Sequence, residues 1–276
     1  MNDELVRWKS LYAEMAEATS SSRSMGLREA FFAVDRDAFI PEGPYLVAVN
    51  GTYIKYDIRD VRVVHQNVAV AIDSSRKINC GEPFLHARWL GWVRPRASEV
   101  VTHIGTGTGY YTALLSLLVG NAGRINAIEV DPRLSEITAT NLASFQNVIT
   151  INANGFHSAI PHSDVVYVNA AFESLPAGWL LALRDGGRLI FPWKCGASVS
   201  RVLLIRRNGS QYEARTLYTV RFIDGVIERD GHRPIYSAGP RSSDSVRSAW
   251  ISDVRLPDAT AVAIFPSAWL SSDDAS

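Results

Sequence analysis

The chain predicts an α/β fold built on a mostly parallel sheet with helices on both faces, and three observations carry that expectation. From Glu99 to Asp131 an apolar strand candidate (Val100, Val101, Ile104) runs into Gly105-Thr106-Gly107-Thr108-Gly109, then an apolar helix candidate, then a second strand candidate ending at Glu129. Strand and helix patterns keep alternating as far as Pro192, the cadence of βαβ units. The turn dipeptide Asn208-Gly209 then separates two β-like runs, which predicts an antiparallel hairpin. Glycines at a strand-to-helix turn let a ligand approach the main chain. A carboxylate about 20 residues further on can accept hydrogen bonds from ribose hydroxyls, so the opening unit predicts half of a nucleoside-binding fold.

Taken in order, Leu5, Trp8, Leu11, Tyr12 and Met15 fall at helical spacing, which predicts an amphipathic helix over residues 4–18 with these side chains on its buried face. Ser20-Ser21-Ser22 interrupts the pattern, a second helix is expected from Leu27 to Val34, and Pro41 ends any helix there. Between Tyr45 and Ile72, β-like runs such as VRVVHQNVAVAI alternate with turn residues, as in a cap or small sheet. Gly81 and Pro83 make residues 78–83 a loop able to face a ligand, and Phe84 to Val93 a helix. After Glu129 the expected elements are a helix from Arg133 to Phe145, strands at Val148 to Asn152 and Asp164 to Asn169, a helix from Leu175 to Leu183, and a strand from Arg188 to Pro192. The glycine loop, Glu129, Asn154-Gly155 and Asn169-Ala170 all fall at carboxyl ends of strands, where such sheets bind ligands. Beyond Gly225 the composition turns to Arg, Gly, Pro and Ser, with one further β-like run from Ala259 to Phe265, Trp250 and Trp269 pinning the tail, and a frayed acidic end. The expected divisions are an N-terminal cap (1–75), a central domain (76–224) and a C-terminal extension (225–276).

Lys plus Arg and Asp plus Glu both number 28 in 276 residues, so no overall field draws the chain to nucleic acid or an anionic membrane. Hydrophobic residues reach 47%, enough for a full-sized core, yet no run approaches a membrane span and the start is unlike a secretory signal. Cys80 and Cys195 form no CxxC pair, which suits the reducing cytoplasm. The histidines show no metal-ligand spacing with cysteines or acids, so no metal is expected.

A dinucleotide fingerprint would need glycine where Tyr110 stands; the pattern G-x-G-x-G is instead the form used by S-adenosylmethionine methyltransferases. From Met25 to about Pro192 the chain resembles the protein-L-isoaspartate O-methyltransferase family. The resemblance is carried by LREAFFAVDRDAFIPE, Pro83-Phe84-Leu85-His86-Ala87, VTHIGTGTGYYTALLS, INAIEVDP, Asn154-Gly155, SDVVYVNAA and LPAGWLLALRDGGRLIFP. It implies a Rossmann-like, seven-stranded methyltransferase sheet in which a final hairpin carries the one antiparallel strand. It also implies S-adenosyl-L-methionine as cofactor, with Gly105, Thr106, Gly107 and Gly109 around its methionine part, Glu129 on the ribose, and Asn154 with Gly155 beside the adenine.

Four positions depart from the family pattern. His103 stands where an acidic residue would favour the cofactor's ammonium, Asn154 replaces an aspartate, Gly81 replaces a serine that orients the acceptor, and Ala182 replaces a glutamine. Asn79, Cys80 or Ser75 could compensate for the missing hydroxyl, so Asn79, Cys80, Gly81 and His86 are the candidates at the acceptor. The implied activity is methylation of a peptide or protein carboxylate, not necessarily isoaspartate. The alternatives are a small-molecule or amine acceptor, or a binding module of the same fold without catalysis.

Overall fold

The computed structural model describes residues 3–20, 26–49, 52–56, 60–196, 199–226, 237–238 and 241–275. Its helices are α1 (Asp3–Thr19), α2 (Leu27–Ala33), α3 (Pro83–Val93), α4 (Tyr110–Val119), α5 (Pro132–Asn141) and α6 (Ala177–Ala182). Strands β1 (Tyr45–Val49), β2 (Thr52–Tyr56), β3 (Ala71–Asp73) and β4 (Ile78–Asn79) precede α3. They are followed by β5 (Val100–Ile104), β6 (Arg124–Glu129), β7 (Val148–Asn152), β8 (Ser163–Val168), β9 (Leu183–Trp193), β10 (Ser200–Asn208) and β11 (Gln211–Val220), seven strands as the resemblance implies. The C-terminal part adds β12 (Ser237–Ala238), β13 (Ser248–Ile251), β14 (Ala261–Ile264) and β15 (Ala268–Ser271). No helix among the described residues is long and apolar enough to cross a membrane.

Residues 1–99 with 106–152 form one compact unit. Here α1 packs on α2 and α3 through Lys9, Tyr12, Ala13 and Ala16. Leu11 and Met15, expected on the buried face, are 50% and 47% exposed. The stripe is rotated because two alanines let neighbouring helices close in, while Lys9 buries its stem and pairs its ammonium with Asp35. The run from Val61, expected as strand, opens as a 3₁₀ turn over Val61–Val63, since the Asp60 carboxylate accepts the Arg62 N–H and caps it. Strands β1 and β2 pair as a hairpin, as do β3 and β4. Beneath them Ile40, Tyr45, Val47, Val64, Val70 and Cys80 form a small core. Strands β6 and β7 pair in parallel, with Glu129 opposite Asn152 at their carboxyl ends. Of the serine interruption, Ser21 and Ser22 lie outside the described residues, as does Met25.

Residues 100–105 with 153–276 form the second unit, whose strand order is β12-β14-β15-β13-β11-β10-β9-β8-β5. Strands β5, β8 and β9 run parallel, and β10 is antiparallel to both β9 and β11, so one reversed strand sits in the hairpin as expected. The β9 strand starts earlier than the sequence suggests: pairing moves from Ser163 opposite Leu183 to Val165 opposite Arg188, and the intervening residues bulge out at Gly186. The extension is more ordered than its composition predicts. Among its described residues it contributes four strands, joined to β11 through Glu213 opposite Ser248. Trp269 is fully buried, stacks on Trp250 at 6.3 Å and donates to the Arg255 carbonyl. The acidic end is tied rather than frayed, because Ser271 is buried, the Asp273 N–H donates to its Oγ and the Asp273 carbonyl accepts from Ser248 Oγ. Ser276 and residues 227–236 lie outside the described residues.

Candidate active site

In the first unit the glycine loop rests on α5. Thr138 Oγ1 donates to the Gly107 carbonyl at 2.7 Å and contacts Thr106 Oγ1, and Asn141 Nδ2 donates to the Thr108 carbonyl at 2.9 Å. Gly109 caps α4 with φ +99°, and a Cβ there would sit 3.0 Å from Leu142 Cδ1, so the third glycine is required by backbone and packing together. Glu129, at the end of β6, is 6% exposed; its Oε2 accepts the Gly107 N–H at 2.9 Å and Oε1 the Asp131 N–H at 3.1 Å. Burial pushes its pKa up despite those bonds. A carboxylate has about four lone-pair sites, so acceptor capacity is left for ribose hydroxyls.

The acceptor-loop candidates lie in the same unit, and their polar groups build the loop. Asn79 Oδ1 accepts the Gly81 N–H at 2.9 Å, and Asn79 Nδ2 donates to Tyr53 Oη. Cys80 is buried, and its Sγ accepts from Arg36 Nη2 at 2.8 Å and from the Val70 N–H, which anchors the loop. Gly81 adopts φ +66°, and a Cβ there would lie 2.6 Å from His86 Nε2. The space that a side chain at position 81 would take is therefore filled by the His86 ring, itself 1% exposed and stacked on Tyr111 at 3.6 Å. Ser75 Oγ donates to Asp73. Arg76 pairs with both Asp73 and Asp131, tying the β3–β4 turn to the cap of α5.

Sequence reasoning gave Arg36 no role, although it lies in the first resembling segment. It is fully buried and donates to the carbonyls of Val64 (2.5 Å), Val68 (2.8 Å) and Gly81 (2.9 Å) as well as to Cys80. Burial opposes its charge, but Cys80 and three tyrosines outweigh that and hold its pKa above the ordinary value. Asp35, Asp37 and His65 also gather within 4.8 Å, a grouping that spacing along the chain did not reveal; the Lys9 ammonium already serves Asp35 there.

The second unit carries the remaining candidates. His103 on β5 is fully buried with its ring edge-on to Tyr167, and burial alone lowers its pKa to about 3. It is neutral at physiological pH, so the opposition to an ammonium that a charged histidine would cause is absent. Gly105 has φ +78° and is backed by Asn169, whose N–H donates to the Ile104 carbonyl. Asn154 Oδ1 accepts the Phe156 N–H at 3.0 Å and so already caps its own turn, leaving one lone pair for an adenine amino group. The Gly155 carbonyl accepts from Trp179 Nε1. Ala182 is a buried residue at the end of α6. One acceptor stands out: Asn169 Oδ1 is buried without a hydrogen bond. A buried acceptor left without a donor suits a ligand that brings one.

The family model for protein-L-isoaspartate(D-aspartate) O-methyltransferase matches residues 13–229. A protein-L-isoaspartate O-methyltransferase of Aliivibrio salmonicida is 31% identical over 162 residues, covering 58% of this chain and 75% of that protein. One from Methanospirillum hungatei is 26% identical over 226 residues, covering 80% and 91%. Among solved structures, a protein-L-isoaspartate O-methyltransferase superposes with TM-score 0.67 at 21% identity, covering 79% of this chain and 66% of that one. A Plasmodium falciparum structure described as a β-aspartate methyltransferase in complex with S-adenosyl-L-homocysteine gives 0.64 at 15% identity, covering 80% and 99%. With a family model spanning most of its length over a fold of the same type, the chain belongs to the protein-L-isoaspartate(D-aspartate) O-methyltransferase family.

Proposed function

We propose that this chain methylates a carboxylate of a peptide or protein and that its preferred acceptor is not confined to isoaspartate. Membership of the family makes it an S-adenosylmethionine-dependent carboxyl O-methyltransferase. Bound S-adenosylmethionine supplies a methyl group activated by its sulfonium. In our reading Glu129 holds the ribose, residues 105–109 the methionine part, and Asn154 with Gly155 the adenine. An acceptor carboxylate has a reference pKa of about 3.9 and arrives ionised, so no general base is required. What the protein must do is hold an oxygen in line and keep water out. The observation that carries the wider acceptor range is the exchange at Gly81: the position that bears a hydroxyl in the family is filled by the buried His86 ring. Orientation of the acceptor then rests on the shape of the braced loop, with the cap (1–75) and the extension (225–276) choosing the peptide. Cys80 and Cys195 are both free, which supports the cytoplasm as its compartment.

The test is incubation with methyl-labelled S-adenosylmethionine and matched peptides bearing isoaspartyl, aspartyl and C-terminal carboxylates, followed by mild alkali. Label released as methanol from a peptide lacking isoaspartate supports the proposal. Label that survives alkali, or that appears on isoaspartyl peptides alone, sinks it.

A further inference from the structure

We infer that Asn169 supplies the hydrogen-bond acceptor for the methionyl ammonium of the cofactor, replacing the carboxylate lost at His103; this rests on the cofactor reading above. Three observations within the second unit converge. His103, fully buried on β5 and held neutral, offers no negative charge to an ammonium. Asn169 follows β8 directly, its N–H is fixed to the Ile104 carbonyl at 2.8 Å, and its main chain and Cβ lie 3.5 to 3.7 Å from where a Gly105 side chain would begin. The residue therefore backs the first turn of the glycine loop. Its Oδ1 is buried and accepts nothing, whereas the Oδ1 atoms of Asn79 and Asn154 each accept a main-chain N–H.

A buried acceptor without a donor is costly, and binding a donor recovers that cost. The chemistry of the missing donor can be narrowed. An acceptor carboxylate is ionised and has no proton to give, and the ribose hydroxyls belong with Glu129. An ammonium offers three N–H donors, and its charge strengthens the bond to a neutral amide oxygen. The amide thus restores the polar half of the lost interaction without the ionic half. Adenosyl ligands that carry the amino-acid arm should depend on Asn169, whereas those that lack it should not.

Calorimetric titration with two probes tests this: S-adenosylhomocysteine, which keeps the ammonium, and 5′-methylthioadenosine, which lacks the whole amino-acid arm. Asn169→Ala should weaken S-adenosylhomocysteine roughly ten- to a hundredfold, the range for a hydrogen bond to a charged group, and leave 5′-methylthioadenosine within about twofold. Asn169→Asp, nearly isosteric, should bind S-adenosylhomocysteine at least as tightly as the wild type, and its melting temperature checks that the fold is intact. Equal loss for both probes, or no loss in Asn169→Ala, overturns the assignment while leaving the cofactor reading standing. A wild-type protein that binds neither probe overturns both.

Discussion

Serine at position 81 is the substitution that would return the acceptor loop to the family pattern, and the geometry predicts that it damages this protein. Two costs combine. Gly81 has φ +66°, a left-handed conformation that costs an L-residue about 1–2 kcal/mol. The new Cβ would stand 2.6 Å from His86 Nε2 and 3.1 Å from His86 Cδ2, where carbon contacts are relaxed only near about 3.5–4.0 Å. The ring cannot swing aside cheaply, because it is 1% exposed and stacked on Tyr111 at 3.6 Å and 19°. Overpacking of this kind costs about 1–3 kcal/mol, so Gly81→Ser should lose about 2–5 kcal/mol in all. Equilibrium urea unfolding measures it, and a double-mutant cycle separates the parts: in a His86→Ala background the steric share vanishes and only about 1–2 kcal/mol of backbone strain remains. A Gly81→Ser variant within about 0.5 kcal/mol of wild type, or the same cost in both backgrounds, would refute the claim that His86 occupies the serine's place.

Three further outcomes follow from buried or strained groups. His103 has its pKa depressed from 6.5 to about 3 by burial, so the unfolded chain binds the extra proton first, and stability present above pH 6.5 is lost as the pH falls toward 3. At 1.36 kcal/mol per unit this one residue removes about 3 kcal/mol between pH 7 and pH 4, which His103→Leu should not lose; parallel pH profiles of unfolding would contradict it. Arg36→Lys keeps the charge but cannot reach four carbonyls and Cys80 together, so it should cost about 3 kcal/mol or more by urea unfolding, and an unchanged midpoint would remove Arg36 as the organiser of the loop. Lys77 closes the β3–β4 turn at φ +59°, so Lys77→Gly should raise stability by about 0.5–1 kcal/mol, and a fall in melting temperature would show that its side chain contributes more than its strain costs.

The parallel core was legible because its signals are local. Alternating strands and helices, Pro132 in the first turn of α5 and the Asn208-Gly209 turn each encode their element within a few residues, and β7 lies where its apolar run placed it. What escaped was set by partners distant in sequence. The buried face of α1 depends on Ala13 and Ala16 meeting other helices, and the grouping of Asp35, Asp37 and His65 on the meeting of two segments about 30 residues apart. Arg36 reads as the middle of a charged triplet, Asp35-Arg36-Asp37; only its carbonyl partners, 28 to 45 residues away, make it a keystone. The glycine turn after β5 and the place of Glu129 at the end of β6 could be read from spacing. The filling of Gly81's space by His86, five residues along and on another element, could not.

That last exchange bears on why a family enzyme can lose a site hydroxyl and still have chemistry to do. A serine that orients an acceptor contributes a hydrogen bond, not a proton transfer, because the carboxylate is already the nucleophile. Its loss is tolerable where position can be enforced otherwise, and here the loop from Asn79 to Gly81 is braced from three directions: by the Asn79 side chain from within, by Arg36 on Cys80 Sγ and the Gly81 carbonyl, and by Tyr111 Oη on that same carbonyl at 3.3 Å. Such a loop presents shape and main chain more than side-chain polarity. On the function proposed above, selection by shape would favour an acceptor by its fit and the sequence around it rather than by one isoaspartyl contact.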